Sequence, residues 1–230
     1  MDGVHYKLIS YPINATTPVW PGSPATRLDK HSHIERGDSA NTSIFTIFNH
    51  TGTHCDAPRH FIPEGATIDQ LPLERFIFER PLLLDAPRTF GEKIRAADLQ
   101  PHAERIARAD LLMLRTGFSR YRTEAPERYT HEGPAIAATC AEYLAANFPR
   151  LAAVAVDFVS IGSFTDKKDG EAAHRALFGG SGGKAVICAI EDVDMRELEA
   201  DKLVRVFALP LLVEGADGSP VTMIAELARR

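Results

Sequence analysis

Three histidines and one aspartate fall within eleven residues, and their side chains are of the types that bind metal ions. In the stretch NHTGTHCDAPRHF, residues 49–61, they are His50, His54, Asp56 and His60. All spacings between them are even, so in an extended chain the four side chains point to one side. The intervening threonines, glycine and proline are poor helix formers, which argues against a helix here. We therefore expect the four side chains to converge on one point.

Imidazole nitrogens together with a carboxylate oxygen are typical ligands of Zn, Mn or Fe, and leave positions open for water and substrate. A divalent ion lowers the pKa of a bound water to about 7 and polarises a carbonyl, so this pattern predicts metal-assisted hydrolysis. Further ligands would come from later parts of the chain. The candidates are Asp157 and Glu191, late in two predicted strands, and His174, on a predicted helix between them. The residues alone explain Glu191 equally well as a solvated strand end.

Two other classes of protein use similar residues. A non-haem Fe(II) oxygenase would take His54, Asp56 and the distant His174 as its two-histidine, one-carboxylate triad. That interpretation leaves His50 and His60 without a role. A catalytically inactive protein that binds a metal ion and a small ligand is the second alternative, and it predicts binding without turnover.

Apolar runs that alternate with helical periodicity predict the elements around this motif. The expected strands are 43–49, which we take to be buried, 81–86, 110–116, 152–161, 184–191 and 203–213. The expected helices are 98–109, 134–148 and 169–178. Strands alternating with helices indicate an α/β fold with a mixed β-sheet core and flanking helices. We expect one compact domain over residues 1–230.

Composition argues against several function classes. With 26 Lys and Arg against 31 Asp and Glu, the formal net charge is −5, and no dense basic run is present to bind nucleic acid. The apolar runs are shorter than the roughly 20 residues that cross a bilayer, and the N-terminal residues lack a signal-peptide pattern. Three distant cysteines do not form a disulfide framework, and Cys55 is expected to be a packed thiol. We expect a cytoplasmic protein without membrane or nucleic-acid partners.

The motif HTGTHCDAPRHF at residues 50–61 resembles the signature of the cyclase family of metal-dependent hydrolases. Bacterial kynurenine formamidases and isatin hydrolases belong to that family. Weaker similarities follow in the family's order, at residues 17–22, 115–117, 156–161, 174–178 and 190–194. The chain departs from the formamidase pattern at Ser23, where that branch has Asp, and at Phe158, where it continues with a Pro-containing stretch.

The resemblance implies a ligand set for one or two Zn or Mn ions per chain. His50, His54 and Asp56 would bind the first ion and Glu191 would complete that site. Together with Asp56 and His174, Glu191 would also form or assist a second site.

The resemblance also implies the reaction. His60 would transfer protons, with metal-activated water as the nucleophile, and Trp20 would lie against the substrate. That substrate would be a small aromatic amide, either an aryl formamide or a cyclic amide, cleaved at its C–N bond. The implied fold is a swivelling β/β/α domain, which would assemble as a homodimer or homotetramer.

Overall fold

The structure is a computed structural model that describes residues 3–179 and 185–229. Its strands are β1 (Val4–Leu8), β2 (Arg27–Ser32), β3 (Thr42–Thr46), β4 (His54–Asp56), β5 (Ile77–Phe78), β6 (Pro81–Asp85), β7 (Lys93–Ile94), β8 (Leu111–Arg115), β9 (Ala135–Ile136), β10 (Ala153–Val156), β11 (Cys188–Glu191), β12 (Leu203–Pro210) and β13 (Gly218–Ala228). Its helices are α1 (Ala96–Leu99), α2 (Ala103–Ile106), α3 (Tyr121–Glu124), α4 (Pro126–His131), α5 (Ala138–Asn147) and α6 (Lys167–Leu177).

One mixed sheet of nine strands organises the described part of the chain. Its order is β5-β12-β13-β4-β11-β10-β8-β6, with β1 paired to β13. The neighbours β11, β10, β8 and β6 run parallel, and the other pairings in this sheet are antiparallel. Strands β5 and β6 lie at opposite ends of this order, yet only Glu79 and Arg80 separate them along the chain. The sheet therefore curls back on itself into a nearly closed barrel.

Both faces of the parallel half of the sheet are buried, and alternate residues of β6, β8, β10 and β11 belong to different cores. In β8, Leu111 and Met113 belong to an inner core, to which strands all around the curled sheet contribute residues. Leu112 and Leu114 belong to an outer core, where the sheet packs against helices α5 and α6. This period of two is what a strand buried on both faces requires. The predicted α/β domain with a mixed sheet core is confirmed.

Several predicted strands and helices are present with shifted ends. Two predicted helices differ more strongly, because one is divided and the other begins later. The segment predicted as one helix over 98–109 is two short helices, α1 and α2, joined by a 3-10 turn that contains Pro101. Proline has no N–H for a helical hydrogen bond, so it interrupts the run. The helix predicted over 134–148 begins at Ala138, after the short strand β9. Residue 184 of the strand predicted over 184–191 lies outside the described residues, and the strand observed is Cys188–Glu191.

One expectation about strands is wrong, and one strand was not predicted. The segment 43–49 forms β3, but β3 pairs only with β2 in a separate hairpin, and Ile44 and Phe45 are 54% and 66% exposed. The sequence analysis also missed β13, which pairs with β1, β4 and β12. An early proline, Pro220, and the alanines and glutamate of its second half weaken the β signal. Within the described ranges, no helix is long and apolar enough to cross a membrane.

Candidate metal centre

Strand β4 lies between β11 and β13 and places two residues of the histidine motif in the middle of the sheet. In the register, His54 is opposite Glu191 of β11, and Asp56 is opposite Gly218 of β13. The side chains of His54, Asp56 and Glu191 lie on the outer face of the sheet, toward α6. Cys55 points the other way into the inner core, so the prediction of a packed thiol is confirmed. The alternation of strand side chains thus separates the candidate ligands from the thiol between them.

The ring of His54 is oriented by the backbone so that one nitrogen faces two carboxylates. Its Nδ1 lies 2.8 Å from the carbonyl oxygen of Gly52, and only Nδ1–H can donate to that oxygen. Its Nε2 lies 3.2 Å from Glu191 Oε2 and 3.4 Å from Asp56 Oδ1. All three side chains are buried. Their ligand atoms lie within 4.8 Å of one another, close enough to share one ion.

His174 repeats this arrangement from helix α6. Its Nδ1–H donates to the carbonyl oxygen of Gly170, one turn earlier, at 2.7 Å. Its Nε2 lies 3.6 Å from Glu191 Oε1 and 3.7 Å from Asp56 Oδ2. Two imidazoles therefore present their Nε2 atoms to the same pair of buried carboxylates.

A cation must lie between these groups, because a bare imidazole nitrogen and a carboxylate oxygen repel each other. Without a metal, protons take this role. Burial disfavours charge on His54 and His174, but Asp56 and Glu191 outweigh it and raise the pKa of both imidazoles. Burial likewise opposes ionisation of Asp56, yet the charges and hydrogen bonds of His50 and His54 hold its pKa well below the usual range. Two imidazole nitrogens with two carboxylates fit a divalent ion such as Zn or Mn.

A second cluster shares Asp56 and includes a residue that the sequence analysis missed. Asp217 Oδ2 accepts hydrogen bonds from His50 Nε2 at 2.9 Å and from His60 Nδ1 at 2.8 Å. Asp217 Oδ1 accepts one from Asn49 Nδ2 at 2.7 Å. The bonds from His50 and His60 hold the pKa of the Asp217 carboxyl well below its usual value. Asp217 therefore stays ionised and fixes both rings.

His50 lies between two carboxylates. Its Nδ1 is 2.7 Å from Asp56 Oδ1, opposite the bond to Asp217. Burial disfavours the imidazolium, but the charge of Asp56 and the hydrogen bonds to Asp217 and Asp56 prevail and raise the pKa of His50 to about 9. Its ring stacks on His60, with centroids 3.9 Å apart. Ligand atoms of His50, Asp56 and His60 also lie within 4.8 Å of one another.

The ring of His50 rests directly on the backbone of β13. A Cβ at Gly218 would lie 2.4 Å from His50 Cε1 and 2.9 Å from its Nδ1. Glycine at this position is therefore what allows His50 to reach between Asp56 and Asp217.

The motif is not extended throughout, so the spacing argument holds only in part. Of its residues only His54–Asp56 forms a strand, whereas His50 lies in a turn and His60 ends a 3-10 turn that begins at Pro58. The chain turns sharply at Gly52, which has a φ of +64°. The four side chains meet because the chain turns on either side of β4.

These side chains line one face of a cavity of about 290 Å³. His50, His54, Asp56, His60, His174 and Glu191 all line it, and so does Trp20. Trp20 is half-buried and meets Phe164 edge-on, with ring centroids 5.7 Å apart. Phe61 stacks on His174 at 4.3 Å. The structure thus brings the sequence-predicted site residues to a single pocket, with the exception of Asp157.

Asp157, the remaining candidate ligand, is used elsewhere. Its Oδ1 accepts from the backbone N–H of Thr116 at 2.9 Å and from its hydroxyl at 2.5 Å, and its Oδ2 accepts from the N–H of Gly117 at 2.9 Å. Asp157 therefore ties β10 to the turn after β8.

Comparison with known proteins agrees with this geometry. The family model named Cyclase matches residues 8–163. The chain is 32% identical over 218 residues to a kynurenine formamidase of Bacillus thuringiensis, which covers 94% of each chain. The chain belongs to the Cyclase family. The predicted metal-dependent hydrolase acting on C–N bonds other than peptide bonds is thereby confirmed, and the Fe(II) oxygenase alternative is set aside.

Solved structures show the same fold. Isatin hydrolase A from Labrenzia aggregata, bound to benzyl benzoate, has a TM-score of 0.83 at 19% identity and covers 98% of this chain and 94% of its own. Isatin hydrolase A from Ralstonia solanacearum has a TM-score of 0.80 at 19% identity, with 97% and 92% covered. At these identities the likeness concerns the fold.

Proposed function

We propose that this cyclase-family hydrolase cleaves the amide C–N bond of a small aromatic substrate, either an aryl formamide or a cyclic amide. The ion would be Zn or Mn, at one or two per chain, held by His54, Asp56, His174 and Glu191, with His50 as a further ligand. One observation carries the proposal. Two imidazoles, each fixed at Nδ1 by a backbone carbonyl, direct Nε2 at the same two buried carboxylates beside an open pocket.

When bound, a divalent ion supplies a Lewis acid that polarises the amide carbonyl and makes water acidic enough to react near neutral pH. The chain's own residues would handle the protons. Asp217 holds Nδ1–H of His60, which leaves His60 Nε2 to accept a proton from the attacking water and return it to the leaving amine. His60 is partly exposed at the pocket, so substrate can reach it.

Aromatic side chains beside the centre would bind the ring of the substrate. Trp20, Phe48 and Phe61 all line the cavity. Its volume of about 290 Å³ lies at the small end of the range for ligand pockets, which suits a substrate built on one ring system. Trp20 would contact the substrate by its face, since its contact with Phe164 is T-shaped and not stacked.

We also propose that the chain acts in the cytoplasm as a homodimer or homotetramer. The free, buried cysteines suit a reducing compartment. A second copy would cover the exposed apolar side chains of the β2–β3 hairpin, such as Ile44 and Phe45. Light scattering during gel filtration should give two or four times the mass of 25.2 kDa, and a monomer would contradict this assembly.

The test of the reaction is hydrolysis of N-formylkynurenine and of isatin by protein supplied with Zn or Mn. We expect turnover of at least one of them, at the same rate with and without oxygen. Asp56→Asn is the control, because it keeps the size of the side chain and removes the charge that the centre requires. Stoichiometric metal without turnover of either amide would support the catalytically inactive alternative.

A further inference from the structure

Helix α6 forms one wall of the pocket, from the metal centre to the mouth of the pocket. Lys167, Gly170, Glu171 and His174 are spaced by three, one and three residues, so they share one side of the helix, and all four line the cavity. At a rise of 1.5 Å per residue, Glu171 and Lys167 lie about 5 Å and about 10 Å along the axis from His174. A substrate that reacts near His174 would extend past both.

Lys167 and Glu171 are the charged lining residues outside the metal and histidine clusters, among the residues that the structure describes. They do not form an ion pair with each other, nor does either pair with another described residue. The Nζ of Lys167 lies over the ring of Phe164, 4.8 Å from its centroid, and Phe164 in turn contacts Trp20. The aromatic wall therefore holds the ammonium at the mouth.

Helix stability does not explain this placement of charge. A lysine in the first turn of a helix faces the positive end of the helix dipole. A lysine four residues before a glutamate is also the less favourable order for an i,i+4 pair. Both charges are exposed and both face the cavity, so they are placed where they can bind a charged ligand.

We propose that Lys167 and Glu171 form a specificity subsite for a dipolar amino-acid tail, with Lys167 binding its carboxylate and Glu171 its ammonium group. This inference rests on the proposed function. Of the two substrate classes named there, it selects an aryl formamide that carries an α-amino-acid tail over a tail-less cyclic amide.

Two matched substrates test the subsite in the metal-loaded protein. N-formylkynurenine carries the tail, and N-(2-acetylphenyl)formamide has the same formamide and ring ketone without it. Contacts between exposed charges change binding by about 1.4-fold to fivefold each. We therefore expect Lys167→Met and Glu171→Gln each to raise KM for N-formylkynurenine by about that factor, to leave kcat nearly unchanged and to lower the preference for the tailed substrate. Calorimetry with kynurenine, the tailed product, should show the same weakening.

Lys168→Met is the control, since Lys168 is an exposed neighbour that does not line the cavity. It should leave the preference at the wild-type value. Equal efficiency of the wild type on both formamides would overturn the subsite and leave the proposed function standing. Tighter binding after Glu171→Gln would also overturn it, because the ligand would then be a simple anion. Failure to hydrolyse either formamide or isatin would overturn the subsite together with the proposed function.

Discussion

The close contact between Gly218 and His50 predicts that one methyl group added at Gly218 would displace the ring of His50. Gly218→Ala would place a Cβ 2.4 Å from Cε1 of His50. Two carbon atoms in favourable contact lie about 3.5 to 4 Å apart, so the ring must move by about 1 Å or more. His50 is held by bonds of 2.7 Å to Asp56 and 2.9 Å to Asp217, and a shift of this size breaks or distorts both.

The expected loss of activity is large for so small a change. Displacement of a catalytic group by about 1 Å can cost about 100-fold in rate, so kcat/KM should fall by about that factor. Overpacking should lower the free energy of unfolding by about 1 to 3 kcal/mol. The backbone at Gly218 is not in the left-handed region, so the alanine itself adds no backbone strain there.

Urea unfolding and steady-state kinetics of the metal-loaded protein measure both effects. Thr222→Ala, at an exposed position of the same strand, is the control and should change neither. A double-mutant cycle identifies the clash. In a His50→Ala background, Gly218→Ala should no longer destabilise the protein, because the ring is gone. The same destabilisation in both backgrounds, or wild-type kinetics for Gly218→Ala alone, would show that His50 does not limit the space at Gly218.

Three further changes separate metal binding from proton transfer. His54→Ala should lose stoichiometric metal, measured by mass spectrometry after gel filtration, because it removes one of the two nitrogens that face both carboxylates. His60→Ala should keep its metal and lower kcat by about 10² to 10⁴, the usual contribution of general acid–base catalysis. Asp217→Asn should keep its metal and lower kcat by about 10- to 100-fold, less than loss of His60, because the ring remains but loses its fixed orientation. His5→Ala, at an exposed position of β1, is the common control. Retained metal in His54→Ala, or near-normal kcat in His60→Ala or Asp217→Asn, would contradict the roles assigned.

The local part of the site follows from the sequence. The spacing within residues 50–60 places candidate ligands together because few bonds separate them. Glu191 was a candidate because it ends an apolar strand, although the residues alone explained it equally well as a solvated strand end. His174 was found as well, although the residues alone left its role open. Each of these candidates lies in a short stretch of chain, where residue types and periodicity identify it, whereas the roles of Glu191 and His174 came from the family resemblance.

What the sequence analysis missed depends on pairing between distant segments. Asp217 reaches the motif because β13 lies beside β4, although 157 residues separate it from His60. A signal was present, since the inner-facing positions Val221, Met223, Ala225 and Leu227 alternate along β13. Alternation shows which side of a strand is buried but not which strand lies next to it. The exposure of β3 has the same origin, because its pairing with β2 outside the main sheet is not encoded in its own residues.

The most direct test of the account is a titration of metal-free protein with Zn or Mn while hydrolysis of N-formylkynurenine and isatin is followed. We expect no turnover without metal and a rise that breaks at one or two ions per chain. The same titration of Asp56→Asn should stay flat. Full turnover by the metal-free protein would contradict the account, as would saturation with metal that produces no hydrolysis of either amide.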